Sequence, residues 1–237
     1  MNKNNISPES PKRPEDLELN PFIHFANHKP KRAIIIRWVT FSVVLTILTV
    51  LVANKVPVNF DQLNAAAGEE NLLPDINKMI EENPSAKNFL IVVQGITAFF
   101  SPIVFILITT VALKILTSII KPIFKEKVSM EKLFLTSTIA YTAYFISSVL
   151  RLVFSLIKGE FIYYSLGSLP YYTEDISNKG VFTNILNTID VFSILFCVLI
   201  AFGLFSYSKA KITHTFALIF GLYLLFIVGQ AIFFPVV

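Results

Sequence analysis

Apolar residues in this chain accumulate chiefly in five long runs, at residues 34–53, 89–119, 133–157, 185–205 and 212–234, each bounded by charge, proline or turn residues. Every run reaches the roughly 20 residues that a helix needs to cross a ~30 Å hydrocarbon layer. A segment in lipid must satisfy its own backbone hydrogen bonds, so runs of this length predict helices. A transmembrane barrel would instead show shorter segments, about 10 residues each, of alternating character. The pattern predicts an all-α, polytopic helical bundle with five transmembrane helices.

The polar intervals predict how the bundle is threaded. Residues 1–19 are polar, rich in proline and of mixed charge, too poor in large apolar side chains to form a core, which predicts a disordered tail. Residues 20–32 place Phe22, Ile23 and Phe25 just ahead of Lys29, Lys31 and Arg32, a sequence suited to a segment lying in the membrane interface. Residues 33–237 then form one membrane domain. With a hydrophilic stretch before the first run, no cleavable leader is expected, and the first helix serves as its own targeting signal.

Lysine and arginine in short loops favour the cytoplasmic side. Lys29, Lys31, Arg32 and Arg37 sit at or just before the start of the first run, whereas the interval after it carries Asp61, Glu69, Glu70, Asp75, Glu81 and Glu82. The next interval is basic, with Lys121, Lys125, Lys127 and Lys132; the one after carries Glu160, Glu174 and Asp175; the last is the short turn with Lys209 and Lys211. This alternation predicts a cytoplasmic N-terminus and an external C-terminus. Within the acidic outer interval, Leu72, Leu73, Ile76, Met79 and Ile80 recur every three or four residues, predicting a short external helix near 74–82. Pro102, with Gln94 and Gly95, lies inside a second run longer than the bilayer is thick, which predicts tilt or a kink.

Composition agrees: 54% of residues are apolar, 23 are phenylalanine, and the mean hydropathy is +0.65. The formal charge of +4 does not imply nucleic acid, because the basic residues sit at helix ends where anionic lipid head groups lie. The single cysteine, Cys197, falls mid-run and reads as a small apolar side chain, so no intramolecular disulfide is expected.

Few residues carry chemistry. Ionisable groups inside a span are expensive, which singles out Arg151 and Asp190. Arg151 lies about six residues before the end of the third run and Asp190 about six after the start of the fourth, so both fall at about 9 Å depth on the same side. A structural ion pair between two helices is the first reading; a proton or ion relay and independent snorkelling are the alternatives. Lys114 reads as a residue snorkelling to the inner interface. His24 and His28 have metal-compatible spacing but lack a third ligand nearby, and Glu81-Glu82 falls in a loop followed by Asn83-Pro84. Neither catalysis nor a cofactor or metal is expected. Thr136, Ser137, Thr138, Thr142, Ser147 and Ser148 give the third run the small, polar character of a buried bundle helix.

The order of several short motifs adds an expectation of another kind. Asn20-Pro21-Phe22 and Lys29-Pro30-Lys31-Arg32 precede the first run; Ser101-Pro102 lies in the second; Ala140-Tyr141-Thr142-Ala143-Tyr144 in the third; Asp190-Val191-Phe192-Ser193 opens the fourth; and residues 206–211 turn into the fifth. This layout resembles the Yip1 family of five-span membrane proteins over residues 20–234. The tail departs from the Asp-Leu-Tyr-Gly-Pro-like motif of eukaryotic members that contact Rab-type GTPases, so the chain looks like a prokaryotic member. The resemblance implies a non-enzymatic membrane scaffold or assembly partner in a bacterial plasma membrane. Its implied partners are membrane lipids and a second membrane protein, an ABC exporter among the options, or further copies of itself. A small transporter or channel subunit using Arg151 and Asp190 is the competing expectation.

Overall fold

The computed structural model describes residues 30–56, 84–124, 127–162, 165–168, 189–208 and 210–233. The described residues are all-helical: α1 Pro30–Lys55, α2 Pro84–Ile119, the single turn α3 Lys121–Phe124, α4 Met130–Lys158, α5 Val191–Tyr207 and α6 Ile212–Phe233. Four of these, α1, α2, α4 and α6, are long and apolar enough to cross a membrane, while α5 is a shorter apolar helix of 17 residues. The expected external helix near 74–82, the tail and the interfacial residues Phe22, Phe25 and Lys29 lie outside the described residues.

Local chemistry explains where the helices begin and end. Pro30 and Pro84 each occupy a first helical position, where the missing N–H would have been unpaired in any case. Ser129 caps α4 by accepting from the Lys132 N–H at 3.4 Å, and Gly159 closes it in a left-handed conformation, φ 70°, donating to the Ser155 carbonyl. That conformation disfavours any residue bearing a Cβ. Pro102 lies inside the 36-residue α2, which runs about 54 Å at ordinary helical rise. Its missing N–H would leave the Ala98 carbonyl unpaired, and the Ser101 hydroxyl donates to that carbonyl at 3.4 Å.

The fourth run differs from expectation at its start. Rather than lying about six residues inside a helix, Asp190 is the N-cap of α5, in extended backbone, with its side chain accepting from the Phe192 N–H at 3.1 Å. Aspartate is among the preferred residues at this position because its carboxylate satisfies an otherwise orphaned amide. At 1.5 Å per residue, α5 spans about 26 Å, slightly less than the hydrocarbon layer.

Helix α4 is the centre of the bundle, packing against α1, α2 and α5; α6 joins through α5. Its buried residues include Thr136, Ser137, Thr138, Ala140, Ala143, Ser147 and Ser155, as its small, polar character implies. Small side chains let helices approach closely where lipid supplies no hydrophobic drive. At a second close approach, a Cβ on Gly95 of α2 would stand 3.2 Å from Val50 of α1. Many large apolar residues point outward: Ile36 is 65% exposed, Phe89 68%, Ile108 65% and Leu225 70%. An apolar outer surface around a core that mixes hydroxyls with residues such as Leu133 and Leu204 is the arrangement of a bundle solvated by lipid.

At the end of the bundle holding the α2–α4 connection, Leu113, Phe124, Val128 and Leu133 pack in one cluster with Leu204 and Ala210. Lys114 donates from Nζ to the Val128 carbonyl at 3.1 Å, so its charge fastens the connection that leads into α4. Lys132 lies over the Tyr207 ring at 5.4 Å.

Candidate functional site

Tyr144, Ser147, Arg151 and Ser155 follow one another on α4 at spacings of three, four and four, which places them on one helical face. The face meets the start of α5 and the chain that follows α4. Tyr144 donates to the Ser193 hydroxyl at 3.2 Å, and Ser147 and Ser165 share a hydrogen bond of 2.9 Å. Ser155 donates to the Arg151 carbonyl at 2.9 Å and accepts from the Ile162 N–H at 3.0 Å, so one hydroxyl ends the helix and starts the next segment. Together these groups form a polar seam between α4 and α5.

Aromatic rings frame the seam. Phe105 of α2 packs against Tyr144 and Phe196, with centroids at 5.1 and 5.7 Å, and Tyr144 lies 4.9 Å from Phe196. From α6 the buried Tyr223 hydroxyl is directed towards Ser193 and the Asp190 backbone, without a hydrogen bond of good geometry. Two tyrosines, one serine and one aspartate from three helices therefore converge near the N-terminus of α5.

Asp190 is buried and its described contacts are those of a cap and a turn anchor. It forms an antiparallel bridge with Ser168, and the Val191 N–H donates to the Gly167 carbonyl at 3.2 Å. Gly167 sits so close to the carboxylate that a Cβ there would collide with Oδ1 and with the Phe192 ring. Arg151 is half-buried, seven residues and about 10 Å along the helix axis from Tyr144.

Of the remaining residues singled out by sequence, Lys31 and Arg32 fall in the first turn of α1, with Arg32 exposed, while His24, His28, Glu81 and Glu82 lie outside the described residues. Among the described residues no three histidine, cysteine, aspartate or glutamate side chains gather as a metal site. The sequence reading missed Ser165, Gly167 and Tyr223. The polar period 144, 147, 151, 155 was a usable signal for the α4 half of the seam, but nothing local marks the turn that completes it.

Among the described residues, shallow and largely apolar grooves open on the outer surface. One, of about 380 Å³, lies between α1 and α2 around Thr46, Val50, Gly95 and Phe99; another, of about 290 Å³, lies between α2 and α4 around Thr110, Met130 and Phe134. Comparison with protein-family models, curated proteins and solved structures finds no match to this chain.

Proposed function

We propose that this is a five-span protein of the plasma membrane, of bacterial origin, with its N-terminus in the cytoplasm and its C-terminus outside. It works as a non-enzymatic scaffold or assembly partner of the Yip1 type. The observation that carries this reading is how the bundle uses its hydroxyls. Thr46, Thr110, Thr117, Thr136, Ser137 and Thr138 each donate to the carbonyl one turn back in their own helix, and Thr215 donates to the Lys211 carbonyl just before α6. Such bonds neutralise the hydroxyl within the helix and leave a surface suited to packing rather than to lining a polar path. Meanwhile Leu222, Leu224, Leu225 and Phe226 of α6 are turned outward, where lipid or another membrane protein covers them. A partner such as an ABC exporter, or a second copy of the chain, would bind in the membrane, with Phe22, Phe25, Lys29, Lys31 and Arg32 completing the contact at the cytoplasmic interface.

In this reading Arg151 and Asp190 pair to lock α4 against α5. The competing reading, a small transporter or channel subunit, draws on the convergence of Asp190, Ser193, Tyr144 and Tyr223, which would give a proton or cation a polar foothold. Two experiments decide between them. Purification of the tagged protein in mild detergent should recover a membrane partner, and replacing Phe22, Phe25, Lys29, Lys31 and Arg32 should reduce that recovery while Arg151→Leu/Asp190→Leu leaves it intact. Proton or solute flux by the purified protein in proteoliposomes, abolished by Asp190→Asn in a folded protein, would overturn the scaffold in favour of transport.

A further inference from the structure

The turn at residues 165–168 is tied to both walls of the seam, and the described ties are hydrogen bonds. On the α4 side Ser165 meets Ser147 at 2.9 Å; on the α5 side the Gly167 carbonyl accepts from Val191 at 3.2 Å, and Ser168 is bridged to Asp190. Internally, Ser165 Oγ accepts from the Gly167 N–H at 3.2 Å, and Ser168 donates from its hydroxyl to the Ser165 carbonyl at 2.7 Å. The turn is folded in part by its own hydroxyls, and hydrogen bonds such as its fastenings exchange for water at modest net cost. What it covers is polar. Asp190 is buried beside it, and the half-buried Tyr144–Ser193 pair is one helical turn further along α5. The absence of a side chain on Gly167 is what permits the fit, since a Cβ there would collide with the Asp190 carboxylate and the Phe192 ring, and either those side chains or the turn must shift.

We propose that residues 165–168 form a detachable clasp that seals the polar seam between α4 and α5, and that its release admits water and small polar solutes to Asp190, Ser193 and Tyr144. The clasp does not depend on the scaffold reading or on which side of the membrane the turn occupies.

The test uses the full chain with Cys197→Ala, purified into nanodiscs, so that both faces are accessible. Ser147→Cys/Ser165→Cys should form a disulfide under mild oxidant, reporting the closed clasp. In a separate series, Ser193→Cys should react with a charged, hydrophilic thiol reagent at least tenfold faster when Ser147→Ala/Ser165→Ala or Gly167→Val is added, while Leu204→Cys, in the apolar core, stays unreactive throughout. The hydroxyl deletions introduce no steric clash, so they keep the test decisive if Gly167→Val does not fold. Equal reactivity at position 193 with and without the clasp substitutions, failure of the disulfide to form in folded protein, or simultaneous labelling at position 204 would each overturn the proposal.

Discussion

Asp190 shows how a charge in an apolar run can be read in two ways. As a residue buried inside a span it needs a countercharge; as the cap of α5 it already accepts a backbone N–H. The two roles are separable by substitution. Asparagine keeps the cap and removes the charge, whereas alanine removes both. We expect Asp190→Ala to lower stability by about 1 kcal/mol more than Asp190→Asn, the usual cost of losing a cap, as measured by thermal unfolding in detergent. The proposed pairing with Arg151 then appears as coupling. Arg151→Leu should cost less stability in the Asp190→Asn background than in the parent, because stranding one buried charge is worse than removing both. Strict additivity would leave Asp190 as a cap alone. Gly159 gives a second test at this scale: with φ at 70°, Gly159→Ala should cost about 1 kcal/mol and Gly159→Asn less, since asparagine tolerates the left-handed region. Equal melting temperatures for the two would contradict the capping account.

Among the helices, contact through small residues decides which pairs form. Gly95 brings α2 against Val50 and Thr46 of α1, at a distance where one added methyl already presses on Val50. Gly95→Val should destabilise by about 1–3 kcal/mol through overpacking, and Val50→Ala in the same chain should restore part of the loss. If Gly95→Val melts like the parent, α1 and α2 do not approach as described. The long apolar helices α1, α2, α4 and α6 were legible in the sequence because length and hydropathy alone specify a span in lipid. The buried face of α4 was legible for a related reason: threonine, serine and alanine recur where neighbouring helices must come close. The start of α5 was not, because hydropathy counts residues 185–189 as part of the run and cannot see that Asp190 prefers to cap. Nor could the turn at 165–168 be anticipated, since its position is fixed by Ser147 and Asp190, distant in sequence and meaningful only once α4 and α5 are side by side.

For the whole molecule the decisive element is α5. Its 17 residues reach about 26 Å, so crossing requires local thinning of the bilayer or recruitment of flanking polar groups to the interface. If it crosses, the chain has five spans and its termini face opposite sides. If it does not, the segments before and after α5 share a side, and the seam lies at a membrane surface rather than within the bundle. Both the scaffold reading and the pairing of Arg151 with Asp190 presuppose the crossing.

Single cysteines introduced by substitution into a Cys197→Ala chain, and challenged in intact cells with a membrane-impermeant thiol reagent, address this directly. We predict labelling at positions 70 and 172 and protection at 125 and 211, with all four reacting once the membrane is permeabilised. Labelling at 211 alongside 172, or protection of both in intact cells, would contradict a crossing by α5 and with it the five-span account.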